Sequence, residues 1–392
     1  MEQIYQQIQR CVEEQRQPMM ALWEELVNTE SGTRQVEGVN AVCSILRREM
    51  ESAGIATRVI PVENAGDMLV GEWNSQCEAK PLLLIGHMDT VFKEGAAKAN
   101  PFRVDENGMA HGPGVLDMKA GLVIALYAVK ALMQTGWKKR PIKFIFASDE
   151  ENLHMFSNAK ELIAKEAEGA LAAFNFETGY MDDRFVVGRS GGGPVSIQVH
   201  GRASHSGNAP EKGRSAVLEA AHKIVEIEAQ NDIPRGRLLN CGMVTGGIGE
   251  NTIPDSCTIR IGIRFPNTTI RDEIFEILQK AVEHNTVPDT TAELDLSRVM
   301  QCMDTTDGVM ALFGHLKQTA ADCGYGEIGS FRVGGLSDSG ITVASGVPTV
   351  CGMGVQGTGN HTADEYADVE SLYRRCVLAA CAAYTLEDDF EK

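Results

Sequence analysis

A chain of 392 residues is too long for one comfortable core, and its 43% hydrophobic and 23% charged content is that of an ordinary soluble globular protein, so two domains are expected. The formal charge of −18 argues against nucleic acid and anionic membranes as partners, which need basic patches, but leaves room for an anionic small substrate where bound cations reverse the local sign. Ten scattered cysteines without a C-x-x-C pair, no apolar run near the ~20 residues that span a bilayer, and an acid-bearing start unlike a secretory signal predict a cytoplasmic protein with free thiols.

Along the chain, Ile4, Ile8, Cys11 and Val12 share one helical face, and Pro18 is expected to divide residues 1–30 into two helices. DMLVGEW from Asp67 and PLLLIGH from Pro81 read as strands. GLVIALYAVKALMQTG reads as a helix with Leu122, Leu126, Val129 and Met133 on one stripe and Gly136 as its stop. PIKFIFA from Pro141 is a strand, NAKELIAKEAEG a helix, and ALAAFNF from Ala170 another strand. This alternation predicts an α/β sheet covered by helices on both faces.

The pattern changes near Gly191. In GPVSIQVHG, Val195, Ile197 and Val199 alternate with Ser196, Gln198 and His200; CTIRIGIRF alternates in the same way from Cys257 to Phe265. Such strands bury one face of an antiparallel sheet. Two helices, from Ser215 to about Glu228 and from about Thr269 to His284, and a last strand AELDLSRV complete a small α+β unit. After about Met303 the α/β style returns with helix DGVMALFGHLKQTAADCG and strand VPTVCGM. The expected organisation is therefore a first domain over 1–190 and 305–392, interrupted by a second over 191–304.

Chemistry-bearing residues gather at strand ends. His87 and Asp89 follow PLLLIG; Asp149, Glu150 and Glu151 follow IKFIFAS; Glu177 follows AAFNF; His361 follows VPTVCGM; and Asp117 precedes a helix. In an open α/β sheet, ligands sit outside the carboxyl ends of the strands. Two histidines and three carboxylates suit zinc-like ions, and a carboxylate can bridge two of them. One member of the Glu150–Glu151 pair could bind metal while the other accepts a proton from water. Asp89 would orient His87 through its other ring N–H. Each feature has an ordinary alternative: a polar strand cap for H-x-D, an N-cap for Asp117, a solvated loop for D-E-E, a structural role for His361. Only the joint pattern points to a metal.

The motifs GHMDTV, GPGVLDMKAG, SDEE, FNFETG, GRASHSG, NTIPD, GGLSDSG and NHTADEY stand in the order seen in the M20 metallopeptidases. From about Leu82 onward the chain resembles that family, and most of all its glutamate carboxypeptidase (carboxypeptidase G2-like) branch. The resemblance implies a zinc-exopeptidase-like α/β domain with a mixed sheet, interrupted by a smaller lid that forms a homodimer contact. It implies two zinc ions per chain, with cobalt or manganese as substitutes: one held by His87, Asp117 and Glu177, the other by Asp117, Glu151 and His361. Glu150 matches the general base and Asp89 the carboxylate orienting His87. A cis peptide between Asp117 and Met118 is also implied. In the lid, His205 resembles a histidine that reaches the scissile carbonyl from the partner subunit, and Asn251 resembles a substrate-contacting asparagine. Arg264 and Arg332 are candidate clamps for a terminal carboxylate, and the glycines of GGLSDSG, Gly335 among them, would let backbone approach the substrate.

The expected activity is hydrolysis of the amide bond to a C-terminal, glutamate-like amino acid, on a small peptide or N-acyl amino acid. An N-acyl amino acid deacylase or dipeptidase would use the same ligands, and a metal-binding protein without activity is the alternative from another class. Two departures from the family pattern stand out. Where E-E-x-G-S is usual, this chain has Asn152, Leu153, His154 and Met155, with His154 expected as a plain loop histidine; and Ala120 replaces the glycine usual in D-x-K-G-G.

Overall fold

The computed structural model describes residues 1–390. They form two compact units: Met1–Gly188, Thr305–Val333 and the residues from Ser337 onward make the first, and Arg189–Asp304 with Gly334–Leu336 the second. The larger strands, in chain order, are β1 (Ala56–Ile60), β2 (Met68–Trp73), β3 (Leu82–His87), β4 (Ile142–Ala147), β5 (Ala172–Asn175), β6 (Arg184–Arg189), β7 (Gly191–His200), β8 (Leu238–Gly246), β9 (Ser256–Phe265), β10 (Thr291–Asp295), β11 (Gly329–Val333) and β12 (Thr349–Cys351).

The first unit is built on an eight-stranded sheet in the order β1-β2-β4-β3-β5-β12-β6-β11. Its middle strands β4, β3, β5 and β12 run parallel, while β1, β2 and β6 add antiparallel flanks. Every residue of β3 is buried, because it pairs with β4 on one side and β5 on the other and is covered on both faces. That is why LLLI is an unbroken apolar run and not an alternation. Parallel pairing also has a functional consequence: Ile85 stands opposite Asn175, His87 opposite Ala147, and Cys351 opposite Asn175, so these strands all finish at one sheet edge.

Helix Ala120–Gln134 is buried as far as Leu132 except at half-buried Lys130, and Met133 is half-buried. The expected single stripe is corrected: the helix lies between β3 and an outer layer formed by helices Glu2–Glu13, Arg16–Asn28 and Val369–Thr385, so nearly all of its surface must be apolar. The first two helices break at Glu14–Gln15, not at Pro18. Pro18 lies in the first turn of the second helix, where a missing N–H costs nothing. Helices Val36–Ser52 and Val369–Thr385 and strands β1, β6 and β11 had no counterpart in the sequence reading.

The second unit has a four-stranded antiparallel sheet in the order β8-β9-β7-β10. Val195, Ile197 and Val199 of β7 and the odd-numbered residues of β9 from Cys257 to Phe265 form its buried face. Helices Ala216–Glu228 and Thr268–Glu283 cover that face through Ala216, Ala220, Ile227, Ile270, Ile274 and Leu278. Ser215 and Asn267 cap them by accepting the N–H of Leu218 and Ile270. Edge strand β8 was not foreseen. It is largely exposed and its register slips between Asn240 and Met243, so it has no apolar period to read.

Candidate metal centre and active site

All eight polar residues singled out around the strand ends belong to the first unit, and the sheet brings them together. His87 is the last residue of β3; Glu150 and Glu151 form a single helical turn three residues beyond β4; Glu177 follows β5 by two residues. His361 lies in the turn after β12 with φ of 65°, and Asp117 lies in the Val115–Lys119 turn, its peptide bond to Met118 being cis. Asp117 caps no helix. It stands between the two histidines: Oδ1 is 3.3 Å from His87 Nε2, and Oδ2 is 3.3 Å from His361 Nε2. Glu151 Oε2 is 3.2 Å from the same His361 nitrogen, and Glu150 Oε2 is 3.9 Å from His87 Nε2.

Ligand atoms of His87, Asp117 and Glu177 lie within 4.8 Å of one another, and so do those of Asp117, Glu151 and His361. Asp117 belongs to both groups. Glu151 Oε1 is buried without a hydrogen-bond partner, and Asp117 Oδ1, equally buried, faces His87 Nε2 at 3.3 Å without the geometry of a hydrogen bond. An orphaned buried carboxylate oxygen is costly unless a cation meets it. The donor set of imidazoles and carboxylates therefore fits a pair of metal ions sharing one carboxylate.

The polar frame around these ligands was only partly legible. His87 Nδ1 stands 3.1 Å from the carbonyl oxygen of Asp89 and 3.3 Å from its Oδ1, so backbone and carboxylate both fix the ring. The Asp89 carboxylate has a further task that the sequence did not reveal. It accepts the N–H groups of Glu150 at 3.1 Å and Glu151 at 3.2 Å, and the Thr33 hydroxyl at 2.6 Å. Glu365, quoted in NHTADEY without a role, is buried and accepts the N–H of Leu116 at 2.6 Å and of Asp117 at 2.9 Å. Asn360 donates to Asp117 Oδ2 at 3.0 Å, and the indole of buried Trp23 donates to the Val115 carbonyl at 3.2 Å. The turn that presents Asp117 is thus held from three directions. The only sequence signal for Glu365 was its place four residues after His361.

His154 corrects an expectation. It is a buried imidazole, with Nδ1 2.7 Å from Asp149 Oδ1 and Nε2 2.7 Å from Asp338 Oδ1. Ala120, the other departure, is fully buried as the first residue of its helix.

In the chain without metal, the electrostatics are those of a crowded acidic pocket. Burial opposes charge on His87, but the carboxylates of Asp117 and Asp89 beside its ring outweigh it and hold its pKa well above the ordinary value. Hydrogen bonds with Asp117 and Glu151 raise His361 to about 10. Burial, with Glu177 beside it, pushes Glu150 well above the usual carboxylate range. Burial resists ionisation of Asp117 too, yet its bonds to His361 and His87 hold it below that range. A raised histidine pKa means that His361 carries a proton at pH 7.5, and a metal must displace it. Metal uptake by the apoprotein at that pH should therefore release about one proton or more per chain, the share from His361 halving near pH 10 and vanishing only above it. Titration calorimetry in buffers of different ionisation enthalpy measures this; release independent of pH would contradict it.

The remaining candidates fall elsewhere. His205 and Asn251 belong to the second unit, where His205 pairs with Thr252 in a short two-stranded ribbon. His205 Nδ1 accepts the N–H groups of Gly207 and Asn208 at 3.1 Å, so the exposed ring carries its hydrogen on Nε2 and offers it outward. Asn251 accepts the Ser206 N–H on its carbonyl. Arg264 is exposed on the open face of β9 in the second unit, over Gly192. Arg332 lies in the first unit on β11 and donates to the Thr305 hydroxyl. A Cβ on Gly335 would meet only Arg189, at 3.5 Å, so packing does not demand glycine there.

A family model for peptidase family M20/M25/M40 matches residues 83–385. The chain belongs to that family. Among its M20 relatives, carboxypeptidase G2 of Pseudomonas sp. (strain RS-16) is 30% identical over 91% of this chain and 86% of its own length. Acetylornithine deacetylase of Pasteurella multocida (strain Pm70) is 29% identical over 60% of this chain and 63% of its own length. The crystal structure of aminopeptidase PepT from Bacillus cereus ATCC 10987 superposes with a TM-score of 0.70 at 21% identity, covering 95% of this chain and 99% of that one. The fold is that of the M20 peptidases, and the chain is a hydrolase of the metallopeptidase type. Among the described residues no helix is long and apolar enough to cross a membrane.

Proposed function

We propose that this M20 enzyme is a di-zinc carboxypeptidase that hydrolyses the amide bond to a C-terminal, glutamate-like amino acid, with cobalt or manganese able to replace zinc. The observation that carries the hydrolytic reading is Asp117, shared between His87 and His361, with Glu150 at the same pocket. The similarity to carboxypeptidase G2 supports the choice of bond. His87, Asp117 and Glu177 would hold one ion, and Asp117, Glu151 and His361 the other. When bound, the metal pair supplies Lewis acidity towards the amide carbonyl and the attacking water.

The protein's own groups do the rest. Glu150 accepts the proton of the attacking water on its carboxylate and passes it to the leaving amine nitrogen. Asp89 keeps the Glu150 and Glu151 backbone in place through their N–H groups, and keeps the His87 ring turned with Nε2 towards Asp117. Across the proposed dimer, His205 of one subunit donates its Nε2 hydrogen to the carbonyl oxygen of a substrate in the other subunit's site as charge develops there. Arg264 and Arg332 are the candidate cations for the terminal carboxylate, Asn251 contacts substrate, and the Gly335 backbone lines its path.

The second unit, Arg189–Asp304, serves as the lid and as the homodimer contact. Edge strand β8 supports this, with exposed Met243 and Val244, as does helix Ala216–Glu228 with exposed Leu218 and Val225. Ten free cysteines are in keeping with the cytoplasm. A second reading, an N-acyl amino acid deacylase, is favoured by the acetylornithine deacetylase relative and by ligands common to both reactions. Turnover by zinc-loaded protein on N-acyl and peptidyl substrates ending in glutamate, aspartate, glycine or neutral residues separates them. Preference for C-terminal glutamate supports the carboxypeptidase; preference for a short acyl group on another amino acid moves the enzyme to the second reading.

A further inference from the structure

After the glutamate pair the backbone turns sharply. Leu153 (φ 54°) and His154 (φ 51°) are consecutive non-glycine residues in the left-handed region. Such a conformation is strained for a residue with a side chain and persists only where its surroundings over-determine it. The turn closes on itself, with the Leu153 N–H on the Glu150 carbonyl at 2.6 Å and the His154 N–H on the Asp149 carbonyl at 3.2 Å. It carries the His154 ring to a place where both nitrogens meet carboxylates at 2.7 Å. Two acceptors at that distance require a hydrogen on each nitrogen, so the buried ring is a cation between two anions.

The far partner, Asp338, lies between Ser337 and Ser339. Both of their hydroxyls accept the Asn175 side-chain N–H, at 3.3 and 2.8 Å. Asn175 ends β5 two residues before Glu177. One chain of bonds thus runs from the segment bearing Glu150 and Glu151, through His154 and Asp338, to the strand bearing Glu177. On the other flank, Asp89 holds the N–H groups of Glu150 and Glu151. The glutamate turn is gripped at both ends.

We propose that His154 is a positioning residue that fixes Glu150 and Glu151 by bridging Asp149 to Asp338. The inference rests on the reading of Glu151 as a metal ligand and Glu150 as the base. The two ring nitrogens of His154 are taken up by Asp149 and Asp338, so it acts on the glutamates through the turn. Residues that hold metal ligands from outside typically change metal affinity or activity by about 10–100-fold when removed.

The test uses full-length protein loaded with cobalt. His154→Ala should lower kcat by about 10–100-fold with KM within about threefold, and weaken binding of one of two cobalt ions by a similar factor in chelator competition. The other ion, held by His87, Asp117 and Glu177, should keep its affinity and its visible absorption band. Asp338→Ala should have the same effect, and the double variant should be no worse than either, since both remove one bridge. His154→Gln, which can still donate one hydrogen bond, should recover part of the loss. Should His154→Ala not fold, Asp338→Asn keeps the side-chain shape and should still weaken the same ion. Folded variants that bind both ions and turn over like the parent would overturn the inference. Loss of cobalt affinity in His154→Ala, from a parent that hydrolyses no amide, would retire the proposed function and leave this inference standing.

Discussion

Glu150→Gln should reduce turnover by about 10³-fold while leaving metal content at the parent's level. Glutamine has the same shape, and the Glu150 backbone N–H would still bond to Asp89. The substitution removes only the oxygen proposed to take the proton from water. Glu150 is buried at the same pocket as Glu177, Glu151 and His87, and the two neighbouring glutamates are the proposed metal ligands. Metal analysis and steady-state kinetics on one preparation check the expectation. A glutamine variant with the parent's kcat would assign the base elsewhere. A variant that loses metal as well would show that Glu150 is a ligand, and the pairing with Glu151 would have to be reversed.

Asp117→Ala should abolish turnover and lower metal content from two ions per chain to fewer than one. Asp117 is the member common to both ligand groups, with one oxygen turned to each histidine. Its loss leaves His87 with Glu177 and His361 with Glu151, two residues where three are needed for a stable site. The stability of the protein should follow. Metal at a free concentration 1,000-fold above its dissociation constant stabilises a folded protein by about 4 kcal/mol per site. Zinc should therefore raise the parent's Tm by several degrees and leave that of the variant unchanged. Scanning calorimetry with and without zinc measures both. Retention of a single tightly held ion would mean that Asp117 serves one group only, and retention of both would exclude a shared carboxylate.

How much of this site could be read in advance depended on the reach of each interaction. His87, Glu151 and Glu177 were legible because each follows an apolar strand within a few residues, a local pattern, whereas Asp117 before a helix and His361 well beyond β12 were legible only through the joint pattern. Asp89 was legible as a partner of His87, two residues away, and not as the acceptor for the Glu150 and Glu151 amides, 61 and 62 residues away. Glu365 reaches back 248 residues to the Asp117 amide, and His154 reaches 184 residues to Asp338. Nothing in the local sequence of either announces such a bond. The expectation that His154 was an ordinary loop residue failed for this reason: its second partner lies in GGLSDSG, a motif first associated with backbone approach to substrate.

The amino-acid sequence by itself determined the type of the strongly periodic strands and helices in both units, the change of pattern at Gly191, and the residue kinds able to hold metal. These follow from apolar periodicity and side-chain chemistry, which need no knowledge of the fold. Tertiary structure alone decided that helix Ala120–Gln134 is enclosed on nearly all sides, that β8 forms an edge, and that Asp117 turns one oxygen to each histidine. It also decided which groups grip the glutamate turn. The reason is physical: parallel strands distant in sequence set the spacing of the site, and buried carboxylates take whichever donors that packing places beside them.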